Sequence, residues 1–210
     1  VVAQGTVEGR VLNQFSVDEH EGHLRVATNT GSGWGAEWRN HVFVLKQRGH
    51  RLEMVGSLTD LAPGEKLYSA RFMGDRAFLV TFIKVDPLFA LDLSDPTNPR
   101  VVGELKIPGY SDYLQPISED YLISIGRNAD ENIGRFQQFQ VSLFNVSDMA
   151  NPTLVDRYEF AGGRSTWSDA LIDHHAVSYF PEYQTLAIPF YSRGGRGGYG
   201  HLHQRQHRRT

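Results

Sequence analysis

The stretch LDLSDPTNPRVVGEL, Leu91 to Leu105, returns as FNVSDMANPTLVDRY, Phe144 to Tyr158. The offset is constant along it, so Asp95 matches Asp148, Asn98 matches Asn151 and Pro99 matches Pro152. A weaker upstream copy sets Met54-Val55-Gly56-Ser57-Leu58 against Val101 to Leu105. A second unit interleaves with the first: Leu24-Arg25-Val26-Ala27, Ala77-Phe78-Leu79-Val80, Tyr121-Leu122-Ile123-Ser124 and Thr185-Leu186-Ala187-Ile188, each after a polar or acidic turn. Together they give a period of roughly 45 to 60 residues, a length typical of repeat architectures.

Inside each period the pattern is that of strands. Val42-Phe43-Val44-Leu45 and Gln140-Val141-Ser142-Leu143-Phe144 are short, β-branched or aromatic, and bounded by turn residues. The run Ser94 to Pro99 cannot continue a ladder, because its two prolines lack an N–H. Asp95 and Asn98, and equally Asp148 and Asn151, can fold the backbone back in Asx-turns, so these are hairpin loops. The 21 glycines, mostly between short apolar runs, fit a chain of many tight turns. No segment has a convincing helical period. Repeated four-stranded units of this length predict an all-β fold, a β-propeller of four-stranded antiparallel blades, incomplete at about four blades. The domain is expected over residues 1–192, with a Gly/Arg/His-rich tail, disordered or out of pattern, over 193–210. The abrupt start and short length suggest a fragment of a longer protein.

Composition excludes several classes. With no cysteine, the chain has no disulfide framework, thiolate zinc site or cysteine nucleophile. No apolar run is long enough to span a bilayer as a helix, and VVAQGTVEGR is not a signal peptide. The net charge of −3 includes five tail arginines with no acid beside them, so the main body is acidic and discourages phosphate-backbone binding. The tail Arg193 to His201 resembles an RGG segment, but nucleic acid is the least favoured of its readings, after an interstrand loop and a truncated end.

Several long runs resemble a known family: VEGRVLNQFSVDEHEGHLRVATNTG, GEKLYSARFMGDRAFLVTFIKVDPLFALDLSDPTNPRVVGELKIPGYSDYL and DALIDHHAVSYFPE. They are similar to the bacterial and archaeal secreted β-propeller C-terminal domain family, distantly related to WD-repeat propellers. The resemblance implies an exported, extracellular or cell-surface propeller without established catalytic residues. It points to a non-catalytic binding or scaffold domain for a protein or polysaccharide partner.

Site candidates are few. Asp173-His174-His175 offers imidazole and carboxylate, the usual materials of a zinc site. On a strand the two histidines would point to opposite faces, so the expectation is a histidine satisfying buried backbone. His20 and His23 read as a solvated turn. The acidic turns Asp18-Glu19, Ser118-Glu119-Asp120 and Asp130-Glu131 lack the alternation of a calcium loop. No cofactor is indicated, with calcium or zinc as alternatives. No Gly-x-Ser-x-Gly elbow occurs. Trp34, Trp38 and Trp167, with Tyr110 and Tyr113, fall in loop-like segments and are candidates for a contact surface or for plugs between blades. Asn145-Val146-Ser147 matches a glycosylation sequon by chance. The rival function is an exported propeller hydrolase with a metal near His174 and His175. Open blade edges would also favour self-association.

Overall fold

The computed structural model describes residues 2–32, 37–82, 86–107, 109–129, 136–161 and 165–192. Trp34, the Asp130-Glu131 turn and the tail from 193 lie outside the described residues. Among those described there is no α-helix, only strands and single 3-10 turns.

Three antiparallel sheets follow one another. The first contains β1 (Arg10–Val11), β2 (Val17–His20), β3 (His23–Thr30), β4 (Arg39–Arg48) and β5 (Arg51–Leu61). The second is β6 (Lys66–Met73), β7 (Arg76–Phe82), β8 (Asp86–Asp92) and β9 (Arg100–Ile107), paired in that order. The third is β10 (Tyr110–Pro116), β11 (Tyr121–Ala129), β12 (Phe136–Asn145) and β13 (Thr153–Glu159). A fourth unit holds β14 (Thr166–Trp167) paired with β17 (Tyr191–Ser192), and β15 (Ser178–Phe180) paired with β16 (Thr185–Ala187). The interleaved repeat is the second strand of each unit: β3, β7, β11 and β16.

Alternation explains why the centres of the second strands hold continuous apolar runs. Leu79 and Ala77 turn toward the first sheet and pack with Ala27, Val42 and Leu61. Their neighbours Phe78 and Val80 turn the other way, against Leu114, Leu122, Phe144 and Val146 of the third sheet. Ile123, Ile125 and Phe139 then pack on Ala170 and Leu171 of the fourth unit. A strand buried on both faces reads as a continuous apolar run, and each large side chain so buried contributes about 1.5–3 kcal/mol.

The turns that recur at a constant offset are the joints between sheets. Asp95 accepts from Thr97 N at 2.9 Å and from Thr97 Oγ1 at 2.7 Å, and Asn98 N donates to Asp95 O at 3.0 Å. Asp148 accepts from Ala150 N at 3.0 Å and from Asn151 Nδ2 at 2.9 Å. Pro99 and Pro152 are buried. The first turn sits on Gly56 of β5, where a Cβ would collide with Pro96 O and lie 3.0 Å from Pro99 Cδ. The second sits on Gly103 of β9, where a Cβ would collide with Met149 O and lie 3.1 Å from Ala150 O. Gly56 and Gly103 are the matched glycines of the weak repeat.

The first strands β6 and β10 run side by side, with β3 and the 3-10 turns at Gln14–Ser16 and Asp169–Leu171 close by. They form the inner wall of the array. Two units break this wall. β1 and β2 both pair with β3, separated by a 3-10 turn at Gln14–Ser16. In the fourth unit, 3-10 turns at Asp169–Leu171 and His174–Ala176 stand between β14 and β15. These two interruptions meet: Gln14 Nε2 lies 2.9 Å from His174 Nε2.

Candidate functional site

The inner wall carries two polar constellations, one at each end. At the end where β6 and β10 begin, both strands are bulged. Pairing of β6 with β7 shifts between Leu67 and Ser69, which sets Tyr68 apart. Pairing of β10 with β11 shifts between Ser111 and Tyr113, which sets Asp112 apart. A bulge re-aims the extra side chain, so neighbouring blades present a tyrosine and an acid at corresponding positions. Tyr68 packs 5.0 Å from Tyr110 and 5.7 Å from Phe82. Lys66 Nζ lies 5.7 Å from the rings of both Tyr68 and Trp38. Arg127 lies 5.5 Å over the Trp167 ring and donates to Thr166 O at 2.8 Å. Burial pushes the Asp112 carboxyl up to about 7, against the fields of Arg127 and Lys66, which favour its charged form. Such a carboxyl is both donor and acceptor near neutral pH.

The opposite end is built on Arg71 of β6. Its guanidinium carbon stands 4.0 Å over the Phe15 ring and 5.0 Å over the Tyr113 ring, and its Nε donates to Leu114 O at 2.8 Å. Phe15 comes from the 3-10 turn of the first unit, where Asn13 Oδ1 accepts from Phe15 N at 3.0 Å. Its ring meets His174 edge to face at 4.9 Å. The Tyr113 hydroxyl donates to Gln115 Oε1 at 2.6 Å.

Asp173, His174 and His175 do not lie on a strand. Asp173 caps the 3-10 turn, accepting from His175 N at 2.9 Å, and its Oδ1 is 3.0 Å from His175 Nδ1. A 3-10 turn does not alternate faces, so the two rings lie side by side with centroids 3.9 Å apart. One ligand atom from each of the three residues falls within 4.8 Å of the others. This corrects the expectation of a histidine satisfying buried backbone: His174 bonds the Gln14 side chain, and His175 bonds Asp173. The hydrogen-bonded turn explains both changes, because Asp173 supplies an acceptor that a strand would take from a neighbour.

The aromatics also differ from expectation. Tyr110 and Tyr113 belong to β10 and Trp167 to β14; only Trp38 of the described set precedes its strand. Asp, Gln and Pro within β10 hide its strand character, since the bulge lets the strand carry polar side chains. Trp38 is half-buried, whereas Trp167 is 39% exposed. His20 ends β2 and lies 3.2 Å from Asp75, while His23 opens β3; the turn between them is Glu21-Gly22. Asp18 pairs with Arg25, and Ser118 to Asp120 form an exposed turn. Asp95, Asn98, Pro99, Asp148, Asn151 and Pro152 are turn residues as expected. Arg71, Phe15, Lys66, Arg127 and Asp112 carried no sequence motif; each is a single polar or aromatic residue in an otherwise ordinary strand or turn.

Four-stranded antiparallel sheets stacked face to face around a shared inner wall define a β-propeller. A Beta propeller domain family model matches residues 1–209. The chain belongs to that family. It is 42% identical over 197 residues to an uncharacterized protein of Methanocaldococcus jannaschii, covering 91% of this chain and 29% of that protein. It is 40% identical over 195 residues to an uncharacterized protein of Archaeoglobus fulgidus, covering 92% and 28%. The chain thus spans less than a third of the length of these relatives.

Proposed function

We propose that the chain is a binding domain of an exported or cell-surface protein, a non-catalytic scaffold that takes a protein or polysaccharide partner. Export rests on the family resemblance. Binding is supported by one observation above others: the bulged ends of β6 and β10 gather Tyr68, Asp112 and Lys66 beside Trp38, with Arg127 and Trp167 adjoining. Flat apolar rings interleaved with hydrogen-bonding groups suit sugar rings and polar protein surfaces alike. The test is sedimentation of the purified protein with a cell-envelope preparation. Binding that a Lys66→Ala/Trp167→Ala double variant weakens at least about tenfold supports the proposal. Binding absent, or unchanged in the variant, overturns it.

The second reading is the hydrolase. It is favoured by the convergence of Asp173, His174 and His175 ligand atoms within 4.8 Å. Three protein ligands would leave one zinc position for water. The Asp173 cap and the Gln14 contact both compete for those atoms. Stoichiometric zinc, lost with His174→Ala, would establish a metal site here. Protein that stays free of zinc after incubation with the metal removes this reading.

A further inference from the structure

Two guanidiniums, Arg25 buried and Arg71 partly buried, lie in the inner region of the array, and they are treated differently. Arg25 is neutralised: Nε and Nη2 both donate to Asp18, and Nη1 donates to Gly74 O. Arg71 has no such partner. Its Nε is spent on Leu114 O, its Nη2 is buried without an acceptor, and no carboxylate acts on its charge among the described residues. Burial works against its charged form, and Tyr113 beside it favours that form. An arginine does not escape by losing its proton. The two flanking rings offset part of the desolvation through cation–π contacts. The Tyr113 hydroxyl adds a side-chain hydrogen bond to the guanidinium, and Nη2 still has no acceptor among the described residues.

We propose that Arg71 anchors an anion site at this end of the inner wall, and that its ligand is a carboxylate. The chemistry selects the class. One guanidinium brings one positive charge and a planar fork that matches a carboxylate. Among the described residues no second cation acts on Arg71, as a dianionic phosphate would favour. His174 meets the edge of the Phe15 ring and contacts Gln14, and the two bring hydrogen-bonding groups to this end of the wall. Gln14 and His175 are exposed and Arg71 itself is only partly buried, so this end is open to solvent. Phe15 reaches the guanidinium because the first unit's inner strand is broken at Gln14–Ser16. The break is thereby part of the site. The carboxylate can belong to a small organic acid or to a uronic-acid unit of a polysaccharide. The site does not depend on the aromatic rim at the other end of the wall.

The test is an NMR titration of the Arg71 side-chain Nε–H signal, assigned by its loss in Arg71→Met. The probes are sodium acetate and digalacturonate, with sodium chloride at equal ionic strength as reference. The expected result is a saturable shift with the carboxylates that chloride does not reproduce. Arg71→Lys keeps the charge but loses the fork, and binding followed on backbone amides should weaken about tenfold or more. Digalacturonate at least about tenfold tighter than acetate assigns the uronate source, and similar affinities assign the small acid. No saturable shift in the wild-type protein overturns the proposal, as does an equal response to chloride or unchanged amide titration in Arg71→Lys. The wild-type titration decides the matter even where Arg71→Met does not fold. The Lys66→Ala/Trp167→Ala variant should titrate like wild type. Its loss of envelope binding therefore tests the scaffold reading separately.

Discussion

Replacing Gly103 by alanine isolates the joint between the second and third blades. Gly103 lies in β9 without a left-handed backbone, so alanine imposes no conformational strain there. The whole cost must come from the new Cβ, which collides with Met149 O and lies 3.1 Å from Ala150 O. Both atoms belong to a turn held by Asp148, with Asn151 N donating to Asp148 O at 3.2 Å and Asn151 Nδ2 donating to Asp148 at 2.9 Å. The backbone carbonyl cannot rotate away as a side chain could, so either the turn retreats from β9 or its hydrogen bonds stretch. Overpacking of this kind costs about 1–3 kcal/mol, and a turn hydrogen bond weakened with it adds about 1 kcal/mol. The expected loss is therefore about 2–4 kcal/mol, a fall in Tm of roughly 5–15 °C for a chain of this size. Urea unfolding should show a lower midpoint with an unchanged slope. Gly22→Ala is the control, because Gly22 has open space around it but φ +75; it should cost only about 1–2 kcal/mol of backbone strain. A Gly103→Ala loss no greater than that of Gly22→Ala would refute the view that the repeated turns lock the blades.

Other expectations concern ionisation and the repeat itself. Gly56→Ala should match Gly103→Ala, because its Cβ meets Pro96 O in the preceding joint; a neutral effect by urea unfolding would limit the joint to one blade pair. Burial holds the Asp112 carboxyl at about 7 in the fold, above its ordinary 3.8. Its contribution is therefore full below that ordinary value and is lost as pH rises through about 7. Asp112→Asn should flatten the fall in unfolding midpoint between about pH 4 and 7, and identical wild-type and variant profiles would refute this. Asp92 runs the other way: bonds from Ser94 first, and then Arg100, bring it down to about 2. That stability is present above 3.8 and is lost as pH falls through about 2. Asp92→Asn should keep the Ser94 bonds, cost under about 1 kcal/mol at pH 7, and remove the acid-side loss; an unchanged acid limb would contradict the assignment.

The Asp92 expectation has a counterpart within the chain. Asn145 occupies the matching position in the third blade and accepts from Ser147 N at 2.9 Å and Ser147 Oγ at 2.7 Å. Asp92 accepts from Ser94 N at 2.9 Å and Ser94 Oγ at 2.6 Å. The turn tolerates either residue because it uses one oxygen, and only Asp92 adds an ion pair with Arg100. This is why the blade joints were legible in the sequence. Each joint solves the same steric problem with the same few atoms, so its residues recur at a constant offset. The second strands were legible for a related reason: burial on both faces keeps a run of apolar residues such as Ala77 to Val80 at the centre of the strand.

The candidate sites were hidden because they sit where the repetition fails. Tyr68 and Asp112 share a bulge position but not a chemistry, so no alignment of one blade on another singles them out. The split inner strands of the first and fourth units are each short and polar, and nothing local predicts that Gln14 would meet His174 across so much sequence. Arg71 is one arginine in an otherwise unremarked strand, and its isolation from any acid is a property of three dimensions. A propeller repeats what holds it together. The residues proposed for recognition are unrepeated ones: along this inner wall they are Tyr68 and Asp112 at one end and Arg71, with Phe15 and His174, at the other.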